Sequence, residues 1–307
     1  MPMPMPMPMQ KAYALIAASA LDGVEVSPLK RVIFGVDFTS APSPRKAITV
    51  AHGALLGDQL EVTAIDNLGS FGEFDALLQT PGPWVAGFDF PFGMPRELVA
   101  TLAWPLDWPG MVRHVEALGK DAFKAALNAV RESRPMGSRY IARRGDGPAG
   151  ASSPMKLVNP PVGLMFFEGA PRLLTAGVSV VPCAPSTDAR IALEAYPGCL
   201  ARKITRASYK KDGNEGARPD RHEARVEILS AVMAAHASVA PLELRLPAPL
   251  QARCIEDGSG DTLDAVLCAA QAAMACLHGA QSGRGDFGIP IEADPLEGWI
   301  ATVSALS

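Results

Sequence analysis

Four carboxylates stand where short apolar runs stop or where a long apolar helix is predicted to begin. Asp37 follows Arg31-Val-Ile-Phe-Gly-Val36, Asp89 follows Trp84-Val-Ala-Gly-Phe88, and Asp261 and Asp264 open a late apolar stretch. The last two are three residues apart, which places them on one face of a helix. Asp264 lies between Leu263 and Ala265, where a charge needs a partner, a cation or water. Brought together, such acids would hold a hard divalent cation, Mg2+ or Mn2+, through carboxylate oxygens. Two ions about 4 Å apart can stabilise both oxygens of an in-line phosphoryl displacement. Each acid also has a plainer use. A strand-end acid is a turn former, Asp261 could cap its helix, and Glu194 could join the site or close the turn at Pro197-Gly198.

Basic residues form the complementary set. Between Arg131 and Arg225 there are 16 Lys+Arg and 9 Asp+Glu, a local +7, which leaves 12 basic and 23 acidic residues elsewhere, a local −11. A basic middle beside acids suits a polyanion such as nucleic acid, although a solvated charged face produces the same pattern. Arg143 and Arg144 sit on a Gly-rich stretch that could close over a phosphate, and Lys156 follows them. Tyr209, Lys210, Lys211, Arg221 and Arg225 are further candidates for phosphate contact.

The elements that must position these groups can be read from turn signals and periodicity. Arg31 to Asp37 reads as a buried first strand, and Ala47 to Leu55 and Gln59 to Leu68 as two more, joined by Gly57-Asp58 with hairpin spacing. Apolar residues at Phe71, Phe74, Leu77 and Leu78 predict a helix before the fourth strand, Trp84 to Asp89. Arg96 to Arg131 is helical in pattern, interrupted at Pro105 and Pro109, and Pro135 to Pro161 is loop-rich. A helix over Leu164 to Leu174 and a fifth strand over Ile191 to Tyr196 follow, then helices from Pro219 to His236 and from Asp261 to His278. The elements so read make an α/β domain over 31–307, with five strands in one sheet flanked by helices.

Composition removes several classes of function. The chain has 307 residues, 48% hydrophobic and 20% charged, with a formal charge of −4, which excludes collagen, coiled coil or disorder as its main state. Its apolar runs are broken by Gly, Pro or a charge before the roughly 20 residues of a membrane helix. Five cysteines, with no Cys-x-x-Cys and no zinc spacing, read as reduced and mostly buried, and point to the cytoplasm. The alternating Met-Pro start reads as a disordered leader over 1–30, a weak imitation of a signal peptide. No P-loop, no Gly-x-Gly-x-x-Gly following a strand and no Gly-x-Ser-x-Gly elbow is present.

Several blocks resemble a known family. Val32 to Asp37 with Thr39-Ser40-Ala41, Gly87-Phe-Asp-Phe-Pro-Phe-Gly93, Glu194-Ala-Tyr-Pro197, Ser208-Tyr-Lys-Lys211 and Asp261-Thr-Leu-Asp-Ala265 are similar, in that order, to blocks of domain-of-unknown-function family 429. Its members are classed as predicted nucleases of ribonuclease H-like fold. The resemblance implies a mixed five-stranded sheet with an antiparallel first three strands and an insertion at about 95–188, with Asp37 as the first-strand acid, Asp89 as the fourth-strand acid and Asp264 with Asp261 as the acids of the final helix. It implies a divalent-metal-dependent nuclease that hydrolyses phosphodiester bonds by metal-activated water. Two other expectations keep the fold and change the use: an actin-like nucleotide-binding phosphotransferase, which Gly35-Val-Asp-Phe-Thr-Ser40 also resembles, and a non-catalytic binding module.

Overall fold

A computed structural model describes residues 30–210, 219–234, 240–282 and 286–303. The leader expected over 1–30 therefore lies, except for Lys30, outside the described residues, as do Lys211 and His236. The strands are β1 (Arg31–Asp37), β2 (Ile48–Leu56), β3 (Gln59–Leu68), β4 (Trp84–Phe88), β5 (Ser179–Val181), β6 (Arg190–Glu194) and β7 (Glu243–Arg245). They form one mixed sheet in the order β5-β6-β4-β1-β2-β3-β7. β1, β2 and β3 are antiparallel neighbours, while β4 lies parallel to β1, and β6 and β5 continue parallel beyond it.

The expectation of five strands is thus corrected to seven. The two additional strands, β5 and β7, have three residues each, too few to display a two-residue period. They add to the two edges of the sheet by parallel pairing with β6 and β3. The strand read over Ile191 to Tyr196 is β6, which ends at Glu194.

The helices are α1 (Phe71–Leu78), α2 (Arg96–Thr101), α3 (Trp108–Leu118), α4 (Lys120–Ser133), α5 (Asp146–Ala149), α6 (Val162–Ala176), α7 (Pro197–Ile204), α8 (Pro219–Met233), α9 (Ala248–Glu256) and α10 (Asp261–Ser282). Pro109 does not break a helix as expected. It stands in the first turn of α3, where a missing N–H costs nothing, and Asp107 caps that turn by accepting from Gly110 N at 2.8 Å. The loop-rich stretch after Pro135 contains the single turn α5.

Strand alternation divides the core in two. Ile33 and Val85 belong to the apolar cluster under α10, with Leu200, Ile228, Leu263 and Val266. Phe34, Val36, Trp84, Ala86 and Phe88 belong to the cluster on the other face, with Phe74 from α1 and Met111, Phe123 and Phe166 from the helices inserted between β4 and β5. By the same alternation Asp37 and Asp89 fall on the α10 side.

α10 crosses β1, β2 and β4 at very close range. Gly35 and Gly87 are register partners on β1 and β4. A Cβ on Gly35 would lie 2.0 Å from Ala265 O, and one on Gly87 would lie 2.5 Å from Cys268 O. Two facing glycines therefore let the helix backbone rest on the strand backbone, with Ala265 and Ala269 as the small residues beneath. Over Asp261–Ala280 this helix is long and apolar enough to cross a membrane, contrary to the expected breaks, but 83% of its most apolar window is buried inside the fold. All five cysteines are free, and four of them are buried.

Candidate functional site

Asp37 ends β1, and Asp89 is the first residue beyond β4, tied to the neighbouring strand by its N–H donating to Val36 O at 2.9 Å. Parallel pairing puts both at the same C-terminal end of neighbouring strands, and α10 brings Asp264 down onto that end from its first turn. One carboxylate oxygen from each of Asp37, Asp89 and Asp264 lies within 4.8 Å of the others. Asp264 is fully buried and Asp37 nearly so, while Asp89 keeps partial access to solvent.

Asp261 does not cap its helix. The cap is Asp257, whose Oδ2 accepts from Thr262 N at 2.9 Å and whose Oδ1 accepts from Ser259 N and Oγ. Burial pushes the Asp257 carboxyl up, but these hydrogen bonds outweigh it and hold it below the usual range. Asp261 is left half-buried at the rim, near enough for its charge to act on Asp37 and Asp89.

Charge inside the cluster is poorly balanced. The Asp264 Oδ1 accepts from the Tyr209 hydroxyl at 2.7 Å, while its buried Oδ2 receives no hydrogen bond from the described residues and has the Lys210 ammonium as its ion partner. Burial pushes Asp37 well above the ordinary carboxylate range, with Lys210 opposing and Asp261, Asp89 and Asp257 adding to the rise. Asp89 is pushed up to about 6, again chiefly by burial, with Lys210 opposing and Glu194 and Asp261 adding. Hard oxygen donors from three separate segments, with more negative charge than one ammonium balances, fit a divalent cation of the Mg2+ type.

Glu194 closes the neighbouring strand end but does not join the three acids. Its Oε1 accepts from Arg143 Nη2 at 2.6 Å, and its Oε2 accepts from Arg143 Nη1 at 2.8 Å and from Phe92 N at 2.9 Å. Arg143 also donates to Asp146 Oδ1 and to Glu297 O, and it is 4% exposed. The expectation that Arg143 sits on a loop able to close over a phosphate is therefore corrected. Its guanidinium, held protonated by Glu194 and Asp146, pins that loop to the end of β6. Arg144 is exposed, and its N–H donates to Glu297 Oε2.

The other basic candidates separate by burial. Arg225 is 1% exposed and donates to Ile255 O and Tyr209 O, so a role as a surface phosphate contact is corrected to one in the core. Arg221 donates to Lys210 O at 2.8 Å. Tyr209 is buried and holds Asp264 instead of a phosphate. Lys156 lies in a turn closed by its N–H donating to Ser153 O and does not line the cleft that borders the acids.

That cleft, of about 510 Å³, has Asp89, Lys210 and Glu194 on its inner wall, Phe90, Val162 and Met165 among its apolar groups, and Arg202 and Arg206 as further cations. Arg202 lies over the Tyr196 ring, 5.0 Å from its centroid, and donates to Ala149 O at 2.6 Å, while Arg206 is exposed. Sequence reasoning missed both. Their signal was present: the Pro197 turn starts a short helix directly after the Glu194 strand end, so basic residues on and just after it must return toward that end. Comparison of the chain with protein-family models, curated proteins and solved structures finds no match in any of the three.

Proposed function

We propose that this protein is a divalent-metal-dependent phosphodiesterase acting on nucleic acid, on a ribonuclease H-like sheet. The observation that carries the reading is the convergence of Asp37, Asp89 and Asp264, from three elements, to within 4.8 Å beside a cleft with basic walls. The sheet supports the fold: a mixed sheet with an antiparallel β1-β2-β3 is what the family resemblance implies, and β4 and β6 lie parallel on the far side of β1.

Asp37, Asp89 and Asp264 would hold the ion, with Asp261 as a further ligand or orienter at the rim. A bound Mg2+ or Mn2+ supplies Lewis acidity toward a phosphoryl oxygen and lowers the pKa of an attacking water. The residues of the chain do the rest. Strand pairing and the close packing of α10 fix the three carboxylates before substrate arrives. Tyr209 orients Asp264 through its Oδ1. Arg206 and Lys210 face the cleft where the anionic oxygens of a phosphodiester would enter.

A metal titration with single- and double-stranded DNA and RNA tests the reading. Cleavage should require Mg2+ or Mn2+ and should fall to background in Asp37→Asn; equal activity in the two proteins would reject the assignment.

A further inference from the structure

Lys210 occupies two environments at once. Its ammonium is the ion partner of the fully buried Asp264, yet about a third of its side chain is exposed and it lines the cleft. Its backbone is fixed, because Arg221 donates to Lys210 O and Arg225 donates to Tyr209 O just before it. Its stem crosses Gly260, where φ is +82° and a Cβ would come within 2.8 Å of Lys210 Cγ, so the absence of a side chain there leaves the lysine its channel. Only the flexible four-carbon stem can then move.

Charge supplies a reason for movement. Three ionised carboxylates and one ammonium sum to −2, whereas the same carboxylates with a divalent ion sum to −1, so the ion offsets more of the charge than the ammonium does. An ammonium and a divalent ion both set against Asp264 Oδ2 would repel each other in a poorly screened interior. The cleft, which Arg206 also lines, offers the ammonium a wetter place.

We infer that Lys210 is a tethered counter-ion exchanged for the metal: without metal its ammonium offsets part of the charge of the three acids, and with metal it turns into the cleft and, with Arg206, receives the anionic oxygens of the phosphate. This rests on the proposed metal site and assigns a second role at it. The same positive charge keeps the metal-free acids folded together and then helps to bind the substrate.

The test measures Mn2+ affinity by titration calorimetry in wild type and in Lys210→Met, then the binding of inorganic phosphate, as anion probe, to each Mn2+-loaded protein. Removal of the competing ammonium should tighten Mn2+ binding at least tenfold, and loss of the cleft cation should weaken phosphate binding at least tenfold. Unchanged or weaker Mn2+ binding in the variant would overturn the exchange, and so would unchanged phosphate binding. If Lys210→Met does not fold, a Mn2+-soaked crystal of the wild type decides: Lys210 Nζ turned into the cleft supports the exchange, and Nζ still against Asp264 overturns it. Wild type that binds no Mn2+ removes the metal site itself, a different failure from wild type and variant binding it equally.

Discussion

Two buried clusters of charge lie side by side at the ends of adjacent parallel strands, and they are built on opposite rules. In the Arg143 cluster every carboxylate oxygen has a donor: both oxygens of Glu194 take a guanidinium N–H, Asp146 Oδ1 takes two, and Asp146 Oδ2 accepts from Arg143 N at 2.7 Å. In the Asp37 cluster burial and neighbouring charge dominate, with no hydrogen bond among the described residues offsetting them at Asp37 or Asp89. A saturated cluster leaves no coordination for a ligand and therefore holds structure. An unsaturated one retains free lone pairs at a cost in stability, which is how a binding site differs from a clamp.

The largest effect that would sharpen this contrast is expected in the clamp. Arg143→Met leaves Glu194 and Asp146 buried without their cation and should cost about 3–5 kcal/mol, read as a lower urea midpoint. A loss below about 1 kcal/mol would mean that water reaches the cluster and that it is less closed than its bonds indicate.

Next comes the contact that assembles the other cluster. Gly35→Ala places a Cβ against the backbone of α10, which cannot yield as a side-chain tip can. It should cost about 3 kcal/mol, at the upper end of overpacking, and should weaken Mg2+ binding as Asp264 withdraws from Asp37 and Asp89. Unaltered Mg2+ affinity in a destabilised Gly35→Ala protein would show that Asp264 is not needed for the ion.

The smallest effect has the opposite sign. Asp89→Asn should stabilise the metal-free protein at pH 7 by on the order of 2 kcal/mol, since it removes a charge that the fold disfavours. The linkage follows from the shift of Asp89 to about 6 from its ordinary 3.8. Between those values the native state binds more protons than the unfolded chain, so stability falls as pH rises from about 4 to about 6 and is level above. Denaturant melts across that window should show the fall in wild type, a smaller fall in Asp89→Asn, and little fall with saturating Mg2+. A wild-type curve that rises through the window would mean that the acids already have partners.

Sequence reasoning reached the acids and not the fate of the bases, for a physical reason. A carboxylate at the end of a buried strand is placed by local alternation and by the turn that stops the strand, so Asp37 and Asp89 could be assigned to matching positions from their own segments. An arginine reaches several ångströms from its backbone, and its partner is set by whatever the fold brings within that radius. Arg143 and Arg225 both read as surface cations, and each ended in the core because Glu194 in one case and two carbonyls in the other lay within reach. Arg202 and Arg206 were passed over for the converse reason: the Pro197 turn returns them toward the Glu194 strand end, but the cleft they line there is formed by residues far apart in the chain.

What the amino-acid order alone determined is the set of elements long enough to display a period: the meander β1 to β3, strand β4 with its terminal acid, and the apolar helix α10 with Asp261 and Asp264 on one face. These follow from short-range sterics and from which side of each segment is apolar. The tertiary structure alone decided that Gly35 would face Gly87 beneath α10, that the two three-residue strands would extend the sheet at its edges, that Asp257 and not Asp261 would cap the helix, and that Lys210 would stand against Asp264. Those outcomes depend on pairings between residues far apart in the chain, whose energies exist only once the segments meet.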